Sequence, residues 1–117
     1  MLKITERQIG DVTILDLEGN IIMGGGSAQL RDAIRRLIEE GRRKLLLNFS
    51  EVKYIDSSGI GELVSSSVIL NRAEGQLKLL KIPEKVEEVL ALSNILSIFE
   101  IYDDEAKALE DYSGADA

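Results

Sequence analysis

The fold class of this chain is decided by residues 48–61, which read NFSEVKYIDSSGIG. The run from Lys44 to Phe49 is short and apolar, which is typical of a strand covered on both faces. Val52 to Ile55 is a second extended stretch, and a helix is predicted from Ser58 to Glu74. A strand that leads through small polar residues into a helix is the pattern of α/β proteins, in which ligands and chemistry gather at the carboxyl ends of parallel strands.

The flanking sequence extends this pattern in both directions. Strands are predicted where apolar residues alternate or run together, and helices where they recur at three- and four-residue spacing. Predicted strands cover residues 3–8, 12–17, 76–82 and 98–102, and predicted helices follow Ser27, Ser58, Pro83 and Asp103. The resulting order is β-β-α-β-α-β-α-β-α. We therefore expect one α/β domain over residues 1–112, with a mixed, mostly parallel sheet of about four to five strands, about four helices, and a flexible tail at residues 113–117.

The composition narrows the possible chemistry. The 117 residues include no histidine and no cysteine, so Ser-His-Asp triads, thiolate nucleophiles and zinc-thiolate sites are excluded. The formal net charge of −7 disfavours binding to nucleic acid or to anionic membranes. No apolar run approaches the roughly 20 residues of a membrane span, and the first residues lack a signal-peptide core. We expect a cytoplasmic protein that has no catalytic residues, metal or cofactor.

The triplet Asp56-Ser57-Ser58 has two interpretations. Asp and Ser are preferred at helix N-caps, where they accept hydrogen bonds from backbone N–H groups that lack a partner within the helix. A serine hydroxyl at the end of a strand is also held rigidly in the open, and a phosphate on it would lie near the positive end of the helix dipole. Capping needs one residue, whereas this segment has three small polar residues followed by Gly59 and Gly61.

Residues 52–63 resemble the signature of STAS domains of the anti-sigma factor antagonist type, in which a short strand ends in Asp-Ser-Ser/Thr-Gly-Leu/Ile-Gly. The resemblance extends over nearly the whole chain. Gly19 is similar to the glycine that ends the second strand of the family, residues 45–50 to its central strand, and residues 90–99 to its third helix and final strand.

The resemblance implies a binding module in a partner-switching cycle, and not an enzyme. In the family, the unmodified domain binds an anti-sigma factor that is also a serine kinase, and this releases the sigma factor in transcriptional or stress-response control. The kinase then phosphorylates the serine after the motif aspartate, and a metal-dependent phosphatase of the PP2C type restores the active form. By this resemblance, Ser57 is the phosphorylation site and Gly59 allows the backbone of the partner to approach. The implied partner-binding residues are Asp56, Ser57, Ser58, Gly59, Ile60 and Glu62, together with Ile22, Met23, Gly24 and Gly25.

One segment departs from the family. Gly19-Asn20-Ile21-Ile22 stands where the family often has Gly-Glu-Leu-Asp, so that both acids are missing. A second hypothesis is therefore a STAS scaffold subunit of a larger signalling or transport assembly that is never phosphorylated. The third hypothesis is a small-ligand or nucleotide-binding α/β domain. The segment Gly24-Gly25-Gly26-Ser27 lacks the lysine of a Walker motif, and we interpret it as a mobile loop followed by the N-cap Ser27.

Overall fold

A computed structural model of the chain describes residues 2–115 and the side chains of residues 2–112. The strands are β1 (Leu2–Ile9), β2 (Val12–Ile21), β3 (Lys44–Ile55), β4 (Gln76–Leu80) and β5 (Glu100–Tyr102). The helices are α1 (Gly26–Glu39), α2 (Ser57–Arg72), α3 (Glu84–Leu92) and α4 (Glu105–Ala115), and a 3-10 turn spans Leu96–Ile98. The predicted order of strands and helices is confirmed.

The strands form one mixed sheet in the order β1-β2-β3-β4-β5. β1 and β2 are antiparallel and are joined by a tight turn, in which Gly10 has a positive φ of 61°. All other neighbouring strands are parallel. Each parallel connection contains a helix, because a crossover between parallel strands needs a connection of that length. The predicted mixed, mostly parallel sheet is confirmed.

Helices cover the two faces of the sheet unequally. α1, α2 and α3 pack on one face and enclose the main core, whereas α4 covers a smaller core on the other face. Leu45 and Leu47 of β3 point into the main core, and Leu46 between them points into the smaller one. The unbroken apolar run of β3 therefore belongs to a strand that is buried on both sides, as the sequence predicts.

β2 and β3 are longer than the sequence indicates. The prediction ends the second strand near residue 17 and divides the third at Ser50, but both strands are continuous and stay paired as far as Ile21 and Ile55. The pairing passes through two register irregularities, and Gly19 lies at one of them with a φ of 118° that glycine adopts without strain. Because β4 pairs with β3 only as far as Asn48, the ends of β2 and β3 project beyond the other parallel strands.

α4 fixes the C-terminal part of the chain to the sheet. The hydroxyl of Tyr112 donates to the carbonyl oxygen of Leu45 and lies 3.2 Å from that of Gln76. α4 continues to Ala115, so the first three residues of the predicted tail have helical backbone, whereas residues 116 and 117 lie outside the described residues. The flexible tail stays a prediction. Between residues 2 and 115, no helix is both long and apolar enough to cross a bilayer.

Candidate functional site

The candidate site lies where β2 and β3 end side by side. Ile21 and Ile55 are paired across the two strands, and the N–H of Asp56 donates to the carbonyl oxygen of Ile21 at 3.3 Å. β2 then continues into residues 22–25, called here the glycine loop, and β3 continues into α2. The two segments that the sequence singles out are therefore brought together at the carboxyl ends of β2 and β3.

Asp56 joins α2 to the glycine loop. Its Oδ1 accepts hydrogen bonds from the N–H groups of Ser58 and Gly59 at 3.0 and 3.1 Å, and from the Ser58 hydroxyl at 2.6 Å. Its Oδ2 accepts a hydrogen bond from the N–H of Met23 at 3.0 Å. These bonds, that of the Ser58 hydroxyl above all, stabilise the carboxylate and lower the pKa of Asp56 to about 2. Asp56 is therefore an N-cap, as the capping interpretation expects, and it is ionised at neutral pH.

Ser57 is the first residue of α2, and its side chain is exposed. Within the described part of the chain, its hydroxyl has no hydrogen-bond partner. The hydroxyl is therefore free to react with, or to donate to, a group on another protein.

Ser58 differs from its neighbour because its hydroxyl is engaged. It donates to Oδ1 of Asp56 and lies 2.7 Å from the hydroxyl of Ser27. Since a hydroxyl carries one hydrogen, Ser27 is the donor in that pair. The predicted capping role of Ser27 is wrong, because α1 begins at Gly26 without a side-chain cap. Ser27 instead connects the start of α1 to the start of α2.

Two glycines allow both helices to approach the end of β2. A Cβ at Gly59 would lie 2.3 Å from the carbonyl oxygen of Ile21 and 2.7 Å from Cγ1 of Ile55. A Cβ at Gly26 would lie 2.0 Å from the carbonyl oxygen of Asn20. The resemblance assigns Gly59 to the approach of a partner's backbone, but Gly59 is buried, and the backbone that approaches it is that of β2 in the same chain.

The glycine loop is held at both of its ends. Asp56 accepts the hydrogen bond from Met23, and the N–H of Ser27 donates to the carbonyl oxygen of Ile22 at 3.1 Å. Gly24 is exposed and has a positive φ of 91°, which favours glycine. The sequence predicts a mobile loop, whereas the structure ties this loop to α2 and leaves the side chain of Met23 75% exposed.

The other predicted partner-binding residues on α2 make contacts within the chain. Ile60 is half-buried against the main core, and the carboxylate of Glu62 accepts a hydrogen bond from the Ser66 hydroxyl at 3.0 Å. Tyr54, which no sequence pattern marks as a site residue, is 57% exposed at the end of β3. The alternation of a strand could have identified it, since the adjacent Ile55 points into the main core.

The chemical capacity of the site depends on the Ser57 hydroxyl and on the neighbouring carboxylate of Asp56. Asp56 is a weak base, because its pKa is lowered to about 2 and it already accepts four hydrogen bonds. Between residues 2 and 115, no group of three or more carboxylates is placed to hold a metal ion. What the described residues offer at this site is an exposed hydroxyl that has no hydrogen-bond partner among them.

Proteins of known family are similar to this chain in sequence and in fold. The family model described as the STAS domain matches residues 3–108. BtrV of Bordetella bronchiseptica, named as an anti-sigma factor antagonist, is 27% identical over 100 residues, which are 86% of this chain and 85% of BtrV. The crystal structure of tm1081 from Thermotoga maritima, named in the same way, has a TM-score of 0.86 and 28% identity over 92% of each chain. SpoIIAA of Bacillus in its phosphorylated form shares the fold, with a TM-score of 0.74 and 20% identity over 94% of this chain and 99% of SpoIIAA.

Proposed function

The chain belongs to the STAS domain family, and on that basis we propose that it acts as an anti-sigma factor antagonist. The unmodified chain binds an anti-sigma factor that is also a serine kinase, through a face formed by Asp56, Ser57, Ser58 and the glycine loop. Phosphorylation of Ser57 by that kinase ends the binding, and a PP2C-type phosphatase restores it. The cycle takes place in the cytoplasm, and the chain is a substrate of both enzymes without being an enzyme itself.

The proposal is supported by the different surroundings of the hydroxyl groups of two adjacent serines. The Ser57 hydroxyl is exposed and has no partner within the described residues, whereas the Ser58 hydroxyl is engaged with Asp56 and Ser27. A kinase must align the attacking oxygen with the γ-phosphorus of ATP, which requires an accessible hydroxyl. Phosphorylation of Ser58 would remove the hydrogen bond that its hydroxyl donates to Asp56 at the start of α2, so the geometry favours Ser57.

In the transfer, the Ser57 oxygen forms a bond to the γ-phosphorus of ATP while the bond from that phosphorus to the leaving oxygen of ADP breaks. The hydroxyl proton passes to a base. Asp56 does not serve as that base, because the hydrogen bonds that it accepts hold its pKa at about 2. The base therefore belongs to the kinase, and Ser57 stays unmodified until a partner docks.

Phosphorylation would concentrate negative charge at the docking face. A phosphoserine carries about −1.5 to −2 charges at neutral pH, beside the ionised carboxylate of Asp56. The N–H groups of Ser58 and Gly59 already donate to Asp56, so they are not available to the phosphate. A penalty of about 3 kcal/mol would weaken binding about 100-fold, and no change of fold is needed.

A scaffold that is never phosphorylated is a second candidate function, and one observation favours it. Asn20 and Ile22 stand where the family often has two acids, and the exposed side chain of Met23 gives this edge of the face an apolar character. In both functions the face docks a protein, but only the first requires a kinase. Phosphate transfer to Ser57 therefore separates the two.

The test is incubation of the purified chain with ATP and the kinase that co-purifies with it, followed by peptide mass spectrometry. We expect one phosphate on Ser57 in the native chain and in Ser58→Ala, and none in Ser57→Ala. Equal phosphorylation of Ser57→Ala would show that the site is wrong. A stable partner that has no kinase domain, with Ser57 unmodified, would select the scaffold function instead.

A further inference from the structure

The glycine loop, residues 22–25, is part of a ring that hydrogen bonds close. The Ser27 hydroxyl lies 2.7 Å from the Ser58 hydroxyl, which donates to Oδ1 of Asp56 at 2.6 Å. Oδ2 of Asp56 accepts a hydrogen bond from the N–H of Met23 at 3.0 Å. The covalent chain from Met23 to Ser27 completes the ring, which therefore joins the loop to the starts of both α1 and α2.

Ser27 reaches this position because the start of α1 is packed tightly against the end of β2. A Cβ at Gly26 would lie 2.0 Å from the carbonyl oxygen of Asn20, so any side chain at this position would push α1 away from β2. The N–H of Ser27 donates to the carbonyl oxygen of Ile22 at 3.1 Å. These contacts fix the backbone of Ser27 on β2, and its hydroxyl makes the connection to Ser58 of α2.

The hydroxyl groups of the ring donate in one direction, from Ser27 towards Asp56. The carboxylate of Asp56 is ionised at neutral pH and can only accept, so the Ser58 hydroxyl donates to it. Since the Ser58 hydroxyl has one hydrogen, Ser27 donates to Ser58. Hydrogen bonds in such a chain polarise one another, so donation from Ser27 strengthens the bond from Ser58 to Asp56. Ser27 therefore acts on Asp56 without contacting it.

The ring restrains a segment that has no side chains to restrain it. Residues 24–26 are all glycine, which leaves the backbone between Met23 and Ser27 free to adopt many conformations. Among the described residues, Met23 forms no hydrogen bond other than the one to Asp56, and its side chain is 75% exposed. Because Asp56 directly precedes Ser57, the ring sets where the exposed side chain of Met23 lies relative to the Ser57 hydroxyl.

We propose that Ser27 is a positioning residue for the face that docks the kinase, so this inference rests on the proposed function. Through Ser58 and Asp56, Ser27 holds Met23 and the rest of the glycine loop in the arrangement that the partner binds. Once the ring is open, the loop adopts other conformations, and the partner binds only the fraction of chains in which the loop is in place. The Ser57 hydroxyl is unchanged, so the transfer of phosphate within the docked complex proceeds as before.

Phosphorylation kinetics with the kinase that co-purifies with the chain measure the effect on docking. Ser27→Ala should raise the KM of the chain about threefold, which corresponds to a loop that is in place in about one third of the molecules. The kcat should change less than about twofold, because Ser57 is unaltered. Ser27→Thr keeps a hydroxyl and should restore the KM. Ser65→Ala is the matched control and should leave the KM unchanged, because the half-buried Ser65 of α2 has no hydrogen-bond partner for its hydroxyl within the described residues.

NMR of the full chain tests the ring in the absence of a kinase. In Ser27→Ala, the amide hydrogen of Met23 should exchange with solvent about tenfold faster than in the native chain. The pKa of Asp56 should rise in the same variant, because the Ser58 hydroxyl becomes a weaker donor to its carboxylate. Neither quantity should change in Ser27→Thr or in Ser65→Ala. The pKa separates a positioning role from a loss of packing, because packing alone would not alter the bond to Asp56.

The proposal is overturned if Ser27→Ala leaves the exchange of Met23 unchanged, if Ser65→Ala has the same effect, if Ser27→Thr fails to restore the native values, or if kcat falls while KM stays the same. Phosphorylation of Ser57 with equal KM in the native chain and in Ser27→Ala would overturn this inference and leave the proposed function intact. If the native chain is not phosphorylated at all, the proposed function fails, whereas the exchange of Met23 decides separately whether Ser27 holds the loop.

Discussion

Gly59→Ala should destabilise the fold even though it places a better helix former within α2. The added Cβ would lie 2.3 Å from the carbonyl oxygen of Ile21, 2.7 Å from Cγ1 of Ile55, and 2.9 Å from Cγ2 of Ile21. A backbone carbonyl cannot rotate out of the way as the end of a flexible side chain can. The first turn of α2 must therefore move away from the ends of β2 and β3.

The magnitude follows from two opposing effects. Overpacking a well-packed site costs about 1–3 kcal/mol of stability. We expect a cost of about 3 kcal/mol for Gly59→Ala, because the close contact is with a backbone atom. Replacing a helical glycine with alanine contributes about 1 kcal/mol of stability. The net loss is about 2 kcal/mol, which lowers the Tm of a domain of this size by about 8 °C.

Gly61→Ala is the matched control, because it makes the same change two residues along the same helix. No atom lies within 4 Å of a Cβ at Gly61, and Gly61 is exposed. This variant should raise the Tm by about 4 °C through helix propensity alone. Differential scanning calorimetry measures whether each variant raises or lowers the Tm. If Gly59→Ala is as stable as Gly61→Ala, the close approach of α2 to β2 is not the reason for glycine at this position.

Two further predictions concern stability. Because the pKa of Asp56 is lowered to about 2, its contribution to stability is complete above about pH 4 and is lost as the pH falls through 2. Over that range, the Tm of the native chain should therefore fall more steeply with decreasing pH than the Tm of Asp56→Asn. Parallel decreases in the two Tm values would contradict this. Tyr112→Phe removes the hydrogen bond that the Tyr112 hydroxyl donates to the carbonyl oxygen of Leu45, and urea titration should show a loss of about 1 kcal/mol in the free energy of unfolding. An unchanged midpoint would mean that the bond contributes nothing.

The order of the elements could be predicted from the sequence because each element has a local pattern. The apolar run of β3 and the helical spacing of α1 identify their types without any knowledge of distant residues. The lengths of β2 and β3 could not be predicted in the same way. Ser50 and Glu51 look like a break between two strands, but pairing with β2 carries the strand through them.

At the candidate site too, local features could be predicted from the sequence, whereas contacts between distant residues could not. The capping role of Asp56 is local, so it follows from the residue type and the helix that begins after it. The bond between Ser27 and Ser58 joins residues 31 positions apart and has no local signal. Ser27 alone resembles a helix cap, and only the packing of α1 beside α2 reveals its partner. The packing role of Gly59 is hidden for the same reason, because it depends on where β2 ends.

The affinity of the proposed kinase partner should differ between the unmodified chain and the chain phosphorylated on Ser57, and calorimetry of both forms at the same salt concentration measures this difference. We expect the phosphate to weaken binding about 100-fold, because it adds negative charge beside the ionised carboxylate of Asp56. Equal affinities for the two forms would contradict the idea that charge at the start of α2 controls docking.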